Sequence, residues 1–301
     1  MKKFIFKLFL FVVITAIVDC SVSLFGDYLQ THAKGGLAKR TNDLVVKDFH
    51  DILVMGSSRA HHHYDTPFLS DTLGLDVYNA GYDGNGIVLA CGLLEMVLER
   101  YKPRMIIYDV EPAFDIYFFQ QDHNNTRYLS YLKPYYGDKK IGRIINDISR
   151  EEWYKVHSGI LRYNSNLVTL ALDNLKVRNP DQRGGYAPIK GRYTGAKIVR
   201  DNIHEVDSIK LSYCQKLITL TKANDIPLVM IASPKYSNET SADLKPVIDI
   251  CNKNNIPFLD YYGNHLFMEE KAMFKEPMHL NAEGARFFSK LILEDIKKYV
   301  K

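Results

Sequence analysis

Five short apolar runs punctuate the chain after residue 50: Asp51–Met55 (DILVM), Asp76–Tyr78, Pro103–Val110 (PRMIIYDV), Ile226–Ala232 (IPLVMIA) and Ile256–Asp260 (IPFLD). Their apolar positions are continuous rather than alternating, which is the pattern of strands buried on both faces. Helix-period segments lie between and after them, at Gly86–Tyr101, Ile209–Asn224, Ser241–Asn254 and Asn281–Tyr299. Strands that alternate with helices in this way predict an α/β fold with a parallel sheet. Five strands predict a three-layer, flavodoxin-like arrangement, and sheets of that kind bind ligands at the carboxyl ends of their strands.

Two regions break the rhythm. Residues 114–206, between the third and fourth strands, are rich in aromatics: Tyr117, Phe118, Phe119, Tyr128, Tyr131, Tyr135, Tyr136, Trp153 and Tyr154. The segment closes on the loop-like RGGYAPIKGRYTG at Arg183–Gly195. Its position in the order predicts a lid over the carboxyl edge or a helical subdomain, the rest of 28–301 forming one α/β domain. At the amino terminus, Lys2 and Lys3 precede an apolar run from Phe4 to Phe25 whose only charges are Lys7 and Asp19. As a helix this run spans about 33 Å, enough for a hydrocarbon core of ~30 Å. We read residues 1–27 as an uncleaved signal anchor, with the positive end in the cytoplasm and the bulk of the chain outside. A cleaved signal peptide has only Ser21-Val22-Ser23 as a small-x-small site, and a lipoprotein signal is spoiled by Asp19 before Cys20. A buried amphipathic helix remains the reading that accounts for Lys7 and Asp19 most simply.

Composition narrows the function classes. The chain is 46% hydrophobic and 25% charged, as a folded protein with a substantial core should be. A net charge of +4 with scattered Lys and Arg gives no nucleic-acid footprint. Cys20, Cys91, Cys214 and Cys251 form no C-x-x-C, which argues against a zinc site and against a dense disulfide framework. They read as buried thiols, a Cys214–Cys251 bridge being the alternative.

Candidate chemistry gathers at two places. The first strand runs into Gly56-Ser57-Ser58-Arg59 and then His61-His62-His63. A serine at a sharp strand-to-helix turn is where α/β folds expose a nucleophile, although an N-cap is the plainer role for such a residue. The second place is Glu276-Pro277-Met278-His279-Leu280-Asn281, just ahead of the last helix. An acid three residues before a histidine can hold one ring nitrogen and leave the other to take a serine proton. Serine in the first turn and histidine in the last loop would meet at one edge of the sheet. Three neighbouring histidines on a helix point about 100° apart, and no H-E-x-x-H accompanies them. No metal and no cofactor are therefore expected. His123, His157, His204 and His265 are isolated and read as structural or exposed.

These blocks resemble the SGNH (GDSL-type) hydrolases and their O-acyltransferase relatives, over Asp51–Tyr101 and Ile226–Lys301. The resemblance implies that Ser58, third in its block, is the nucleophile, with Ser57 in the usual aspartate position. It implies His279 as the base, and Gly84 in Asn79-Ala80-Gly81-Tyr82-Asp83-Gly84-Asn85 as an oxyanion donor beside the Ser58 amide, Gly81 being the fallback. Glu276 stands where that family has aspartate. The stretch Asp109–Asp115 (DVEPAFD) has no G-x-N-D, so the family's asparagine donor is missing. Arg59, Asn85 and Glu111 are candidates for substrate contact, with Arg59 alternatively paired to Asp83, Asp109 or Glu111. Membrane-anchored relatives with a similar serine block imply an extracytoplasmic esterase or O-acyltransferase on acyl, above all acetyl, esters of cell-envelope polysaccharide. A membrane acyl-donor protein would be a natural partner. The competing expectation is a non-catalytic carbohydrate-binding or assembly-partner protein that keeps the fold.

Overall fold

The computed structural model describes residues 1–118, 125–164, 166–175, 183–199 and 205–300; Phe119, His123 and His204 fall outside them. The chain divides into two compact units. One joins residues 1–47 with 129–181, and the other joins 48–128 with 182–301. The helical part of the expected lid thus groups with the amino-terminal segment rather than with the α/β unit.

In the α/β unit, strands β1 (Ile52–Gly56), β2 (Val77–Gly81), β3 (Met105–Asp109), β4 (Leu228–Ala232) and β5 (Phe258–Asp260) form a fully parallel sheet in the order β2-β1-β3-β4-β5. All five residues of β1, β3 and β4 are buried, which explains their unbroken apolar sequences. Ile52 and Val54 share a core with Val77, Ile107, Val229 and Ile231 from neighbouring strands, and with Phe288, Ile292 and Ile296 of the last helix. That helix, Ala282–Lys297, is capped by Asn281, whose Oδ1 accepts from the Gly284 amide at 2.9 Å. Helix Ile87–Val97 is buried along its whole length and packs on helix Ser208–Ala223. Strand β2 runs three residues past its expected end, through Asn79-Ala80-Gly81. These residues have little strand propensity, and pairing with β1 holds them in the sheet.

The loop expected before the last helix is a small antiparallel hairpin, β6 (Phe274–Glu276) and β7 (His279–Leu280), in which Glu276 lies opposite His279. The loop-like segment beginning at Arg183 works as a strap. Ala187 N–H donates to His61 O (3.1 Å), Tyr193 N–H to Phe274 O (2.7 Å), and Ile189 O accepts from Ala282 N–H (2.8 Å). It therefore joins the residues after β1 to the hairpin.

In the other unit, one apolar helix, Lys2–Thr31, is long and apolar enough to cross a membrane, and it continues past residue 27 without a break. Asp19, the charge that looked out of place, caps a neighbouring helix in trans. It accepts from Ser158 Oγ (2.5 Å) and from the amides of Gly159 (3.1 Å) and Ile160 (3.0 Å), at the start of helix Gly159–Arg162. A side chain on Gly159 would collide with the helix backbone, meeting Ser23 N at 2.4 Å, so glycine permits the close approach. Further along, Arg162 and Tyr163 bond Asp27, and Leu29 packs with Tyr163 and Leu170. Leu24, Phe25 and Tyr28 stay exposed.

Candidate active site

The site grows from the end of β1. Gly56 has φ +139°, and a Cβ there would meet Asp109 O at 2.6 Å, so only glycine fits the turn. The next two residues, interchangeable in sequence, part company. Ser57 is buried and acts as the N-cap of helix Ser58–His63, its Oγ accepting from Arg59 N–H at 3.3 Å. Ser58 is partly exposed, and its Oγ lies 2.7 Å from His279 Nε2. His279 Nδ1 bonds Glu276 Oε1, while Glu276 Oε2 accepts from the Met278 amide at 3.0 Å. A carboxylate only accepts, so Nδ1 carries the proton and Nε2 presents its lone pair to the Ser58 hydroxyl. Burial pushes the Glu276 carboxyl upward, but the bonds from His279 and the Met278 amide outweigh it and hold the group below its usual range. The structure thus brings Ser58, His279 and Glu276 together in one chain of hydrogen bonds. Ser58 follows β1, beside β3, where the strand order reverses and parallel sheets leave a crevice.

The Ser58 and Gly84 amides donate to no other group among the described residues, and Gly84 sits at φ +67°. The Gly81 amide donates to Asn79 Oδ1 at 3.0 Å, which removes the fallback oxyanion donor. Asn85 is buried and its Nδ2 donates to Asp83 O at 2.9 Å, so it shapes this loop from within. After β3, Asp115 occupies the loop interior and accepts from the amides of Ile87 (2.8 Å) and Glu111 (2.6 Å) and from Tyr108 Oη (2.7 Å).

Arg59 and Glu111, candidates for substrate contact, are both buried and pair with each other at 2.6 Å. Their position is the floor of the site, and for Arg59 it is the ion-pair alternative that the geometry fits. Arg59 also bonds Ser233 Oγ through Nε (3.2 Å) and Nη2 (3.0 Å), lies 3.7 Å from Asp109, and stacks over Tyr262 at 5.0 Å. Ser233 Oγ donates to Asp109 Oδ2 (2.6 Å), and its amide donates to Oδ1 (3.2 Å). Burial pushes Asp109 up to about 6, with Arg59 pulling it back down. Lys235 pairs with Glu239 at 2.5 Å and lies 3.5 Å from Glu111. Sequence reasoning missed Ser233, Lys235 and Tyr262. For Ser233 and Lys235 the available signal was two polar residues, on either side of Pro234, directly after a fully apolar strand.

The histidine run divides. His63 turns into the core, where Nδ1 bonds Ser233 Oγ (2.8 Å) and Nε2 accepts from the Leu280 amide (3.0 Å). Burial and the Arg59 charge push its pKa well below the ordinary histidine value. His61 and His62 stay near the surface and meet Asp83, at 2.8 and 3.3 Å. The carboxylate they meet, Asp83, arrives from the loop after β2 and not along the helix. His157 and His265 are exposed. Cys91, Cys214 and Cys251 are free buried thiols, and Cys20 is free and exposed. No protein-family model matches the chain, and no curated protein matches it in sequence.

Proposed function

We propose that the chain is a membrane-anchored serine esterase or O-acyltransferase of the SGNH kind, acting outside the cytoplasm on acyl esters of cell-envelope polysaccharide. The observation that carries this reading is the continuous path from Ser58 Oγ through the His279 ring to Glu276. His279 Nε2 takes the Ser58 proton as Oγ attacks the ester carbonyl. The amides of Ser58 and Gly84 receive the developing oxyanion. Collapse of the tetrahedral species expels the alkoxide, which takes the proton from His279, and leaves an acyl-serine. Water or a sugar hydroxyl then gives its proton to His279 and attacks the acyl carbon; the bond to Ser58 Oγ breaks, Oγ takes the proton back from His279, and acid or a new ester is released. The strand order β2-β1-β3-β4-β5, which flavodoxin-like doubly wound sheets also have, supports the fold assignment. The apolar helix Lys2–Thr31, with Lys2 and Lys3 at its start, supports the anchor and its orientation.

A serine-directed fluorophosphonate applied to the full chain in detergent tests the proposal. Labelling of Ser58, abolished in Ser58→Ala and in His279→Ala, is the expected result. Absence of label in folded protein, with aryl-acetate turnover unchanged in Ser58→Ala, would overturn the enzyme reading in favour of a non-catalytic glycan-binding protein.

A further inference from the structure

We propose that His61, His62 and Asp83 bind one divalent transition-metal ion of the zinc class. Neighbouring residues on a helix diverge by about 100°, yet these two imidazoles serve the same point because they present different nitrogens. His61 offers Nδ1, close to its backbone, and His62 offers the more distant Nε2. The rings lie 4.7 Å apart at 29°, and one ring nitrogen of each histidine and one Asp83 oxygen all fall within 4.8 Å of one another.

The hydrogen bonding of His62 points to a cation. Its Nδ1 lies 2.7 Å from Ala187 O, which only accepts, so Nδ1 carries the proton. In the neutral ring, Nε2 then directs a lone pair at Asp83 Oδ1 from 3.3 Å. Two acceptors facing each other repel unless a proton or a metal ion lies between them. A backbone carbonyl fixing the far nitrogen is also how proteins orient metal-binding histidines. The spacing agrees, since metal–ligand bonds of about 2.0–2.1 Å in a tetrahedron separate the donors by about 3.3 Å. His61 Nδ1 and Asp83 Oδ1, at 2.8 Å, have to open by about 0.5 Å to reach that separation. The histidine side chains are mostly covered, at 12% and 14% exposure, while Asp83 is 60% exposed, so the remaining positions face water. Two imidazoles and one carboxylate favour zinc, manganese, iron or cobalt over magnesium and calcium, which prefer all-oxygen sites.

Asp83 adjoins Gly84, and His61 is three residues beyond Ser58 on the same short helix. A bound ion would tie the loop after β2 to that helix. The binding claim itself does not rest on the esterase reading.

The test uses the full chain in detergent, stripped with EDTA and then titrated with Zn²⁺ by calorimetry, and with Co²⁺ by visible absorption. We expect one ion per chain. Asp83→Asn, which keeps the shape of the side chain, and His62→Ala should each weaken binding at least tenfold. His157→Ala and His265→Ala should leave it unchanged, and millimolar Mg²⁺ or Ca²⁺ should not displace the ion. Circular dichroism confirms that each variant is folded before it is scored. Failure of the wild-type chain to bind Zn²⁺ below about 100 µM overturns the proposal, as does binding that survives both Asp83→Asn and His62→Ala.

Discussion

Among the described residues, the α/β unit contains two hydrogen-bonded serine–histidine pairs, and in one of them the histidine presents a lone pair to the serine hydroxyl. Ser58 and His279 lie 2.7 Å apart at the end of β1, and Ser233 and His63 lie 2.8 Å apart at the end of β4. Each pair also has a nearby acid. What separates them is the direction of the hydrogen bonds. Glu276 accepts the hydrogen bond from His279 Nδ1–H, so Nε2 remains a base for the Ser58 hydroxyl. In the second pair the acid holds the serine, since Ser233 Oγ–H donates to Asp109. His63 then donates to the same oxygen, and its other nitrogen accepts from the Leu280 amide. The Ser233 oxygen also accepts from Arg59, which lowers its electron density further. Exposure follows the same division, at 0% for His63 and 24% for the His279 side chain. A serine, a histidine and a carboxylate leave the hydroxyl facing a base in one order of connection and lock it in place in the other.

The most severe test of this comparison is a pair of serine deletions. Ser58→Ala should lower aryl-acetate turnover by about 10³-fold or more, leaving the melting temperature nearly unchanged. Ser233→Ala should do the reverse. It should retain fluorophosphonate labelling at Ser58 and lose about 1–3 kcal/mol of stability, because Asp109 and His63 are left buried without their shared partner. Equal loss of labelling in the two folded variants would mean that the pairs act as one catalytic unit.

Next in size is the floor that both pairs rest on. Arg59 joins Glu111 to Ser233, so Arg59→Met strands a buried carboxylate. A destabilisation of about 3–5 kcal/mol is expected, read as a drop in urea midpoint at unchanged slope. Glu111→Gln should cost less, since the amide oxygen still accepts from Arg59. Loss of labelling in Arg59→Met without loss of stability would place Arg59 in the substrate site instead.

The two pairs were unequally legible in the sequence. Strands β1, β3 and β4 were readable because burial on both faces demands continuous apolar residues, and Glu276 with His279 was readable because a two-residue hairpin keeps acid and base three positions apart. The choice of Ser58 over Ser57 came from the resemblance alone, because either serine can cap a helix, and the path of the turn makes Ser57 the one that does. Ser233 was hidden as well, since its partners Arg59, His63 and Asp109 are more than 100 positions away in sequence. Asp19 in the apolar helix was obscure for the same reason, as its capping partners begin at Ser158. Asp83 was invisible as a partner of the histidine run because helical spacing was the wrong template for a ligand supplied by another loop.

The smallest effects should come from the acid of the Ser58–His279 pair, where length and charge can be varied separately. Glu276→Gln removes the charge that steadies the imidazolium but keeps the shape, and turnover should fall by about 10²-fold. Glu276→Asp keeps the charge one methylene further back and should fall by about tenfold. Stability should respond less, by under about 1 kcal/mol, because the Glu276 side chain is 40% exposed. The pH dependence of that small difference fixes the ionisation of the acid. A carboxyl held below its usual range in the folded chain contributes stability that is fully present above that range and is lost as pH falls through the lowered value. The gap between wild type and Glu276→Gln should therefore stay flat from neutral pH to about pH 5 and close only below about pH 4. A gap that closed between pH 7 and 6 would show that Glu276 is not the ionised partner. His279 would then have no more hold on its proton than His63 has, and the difference between the two pairs would reduce to exposure alone.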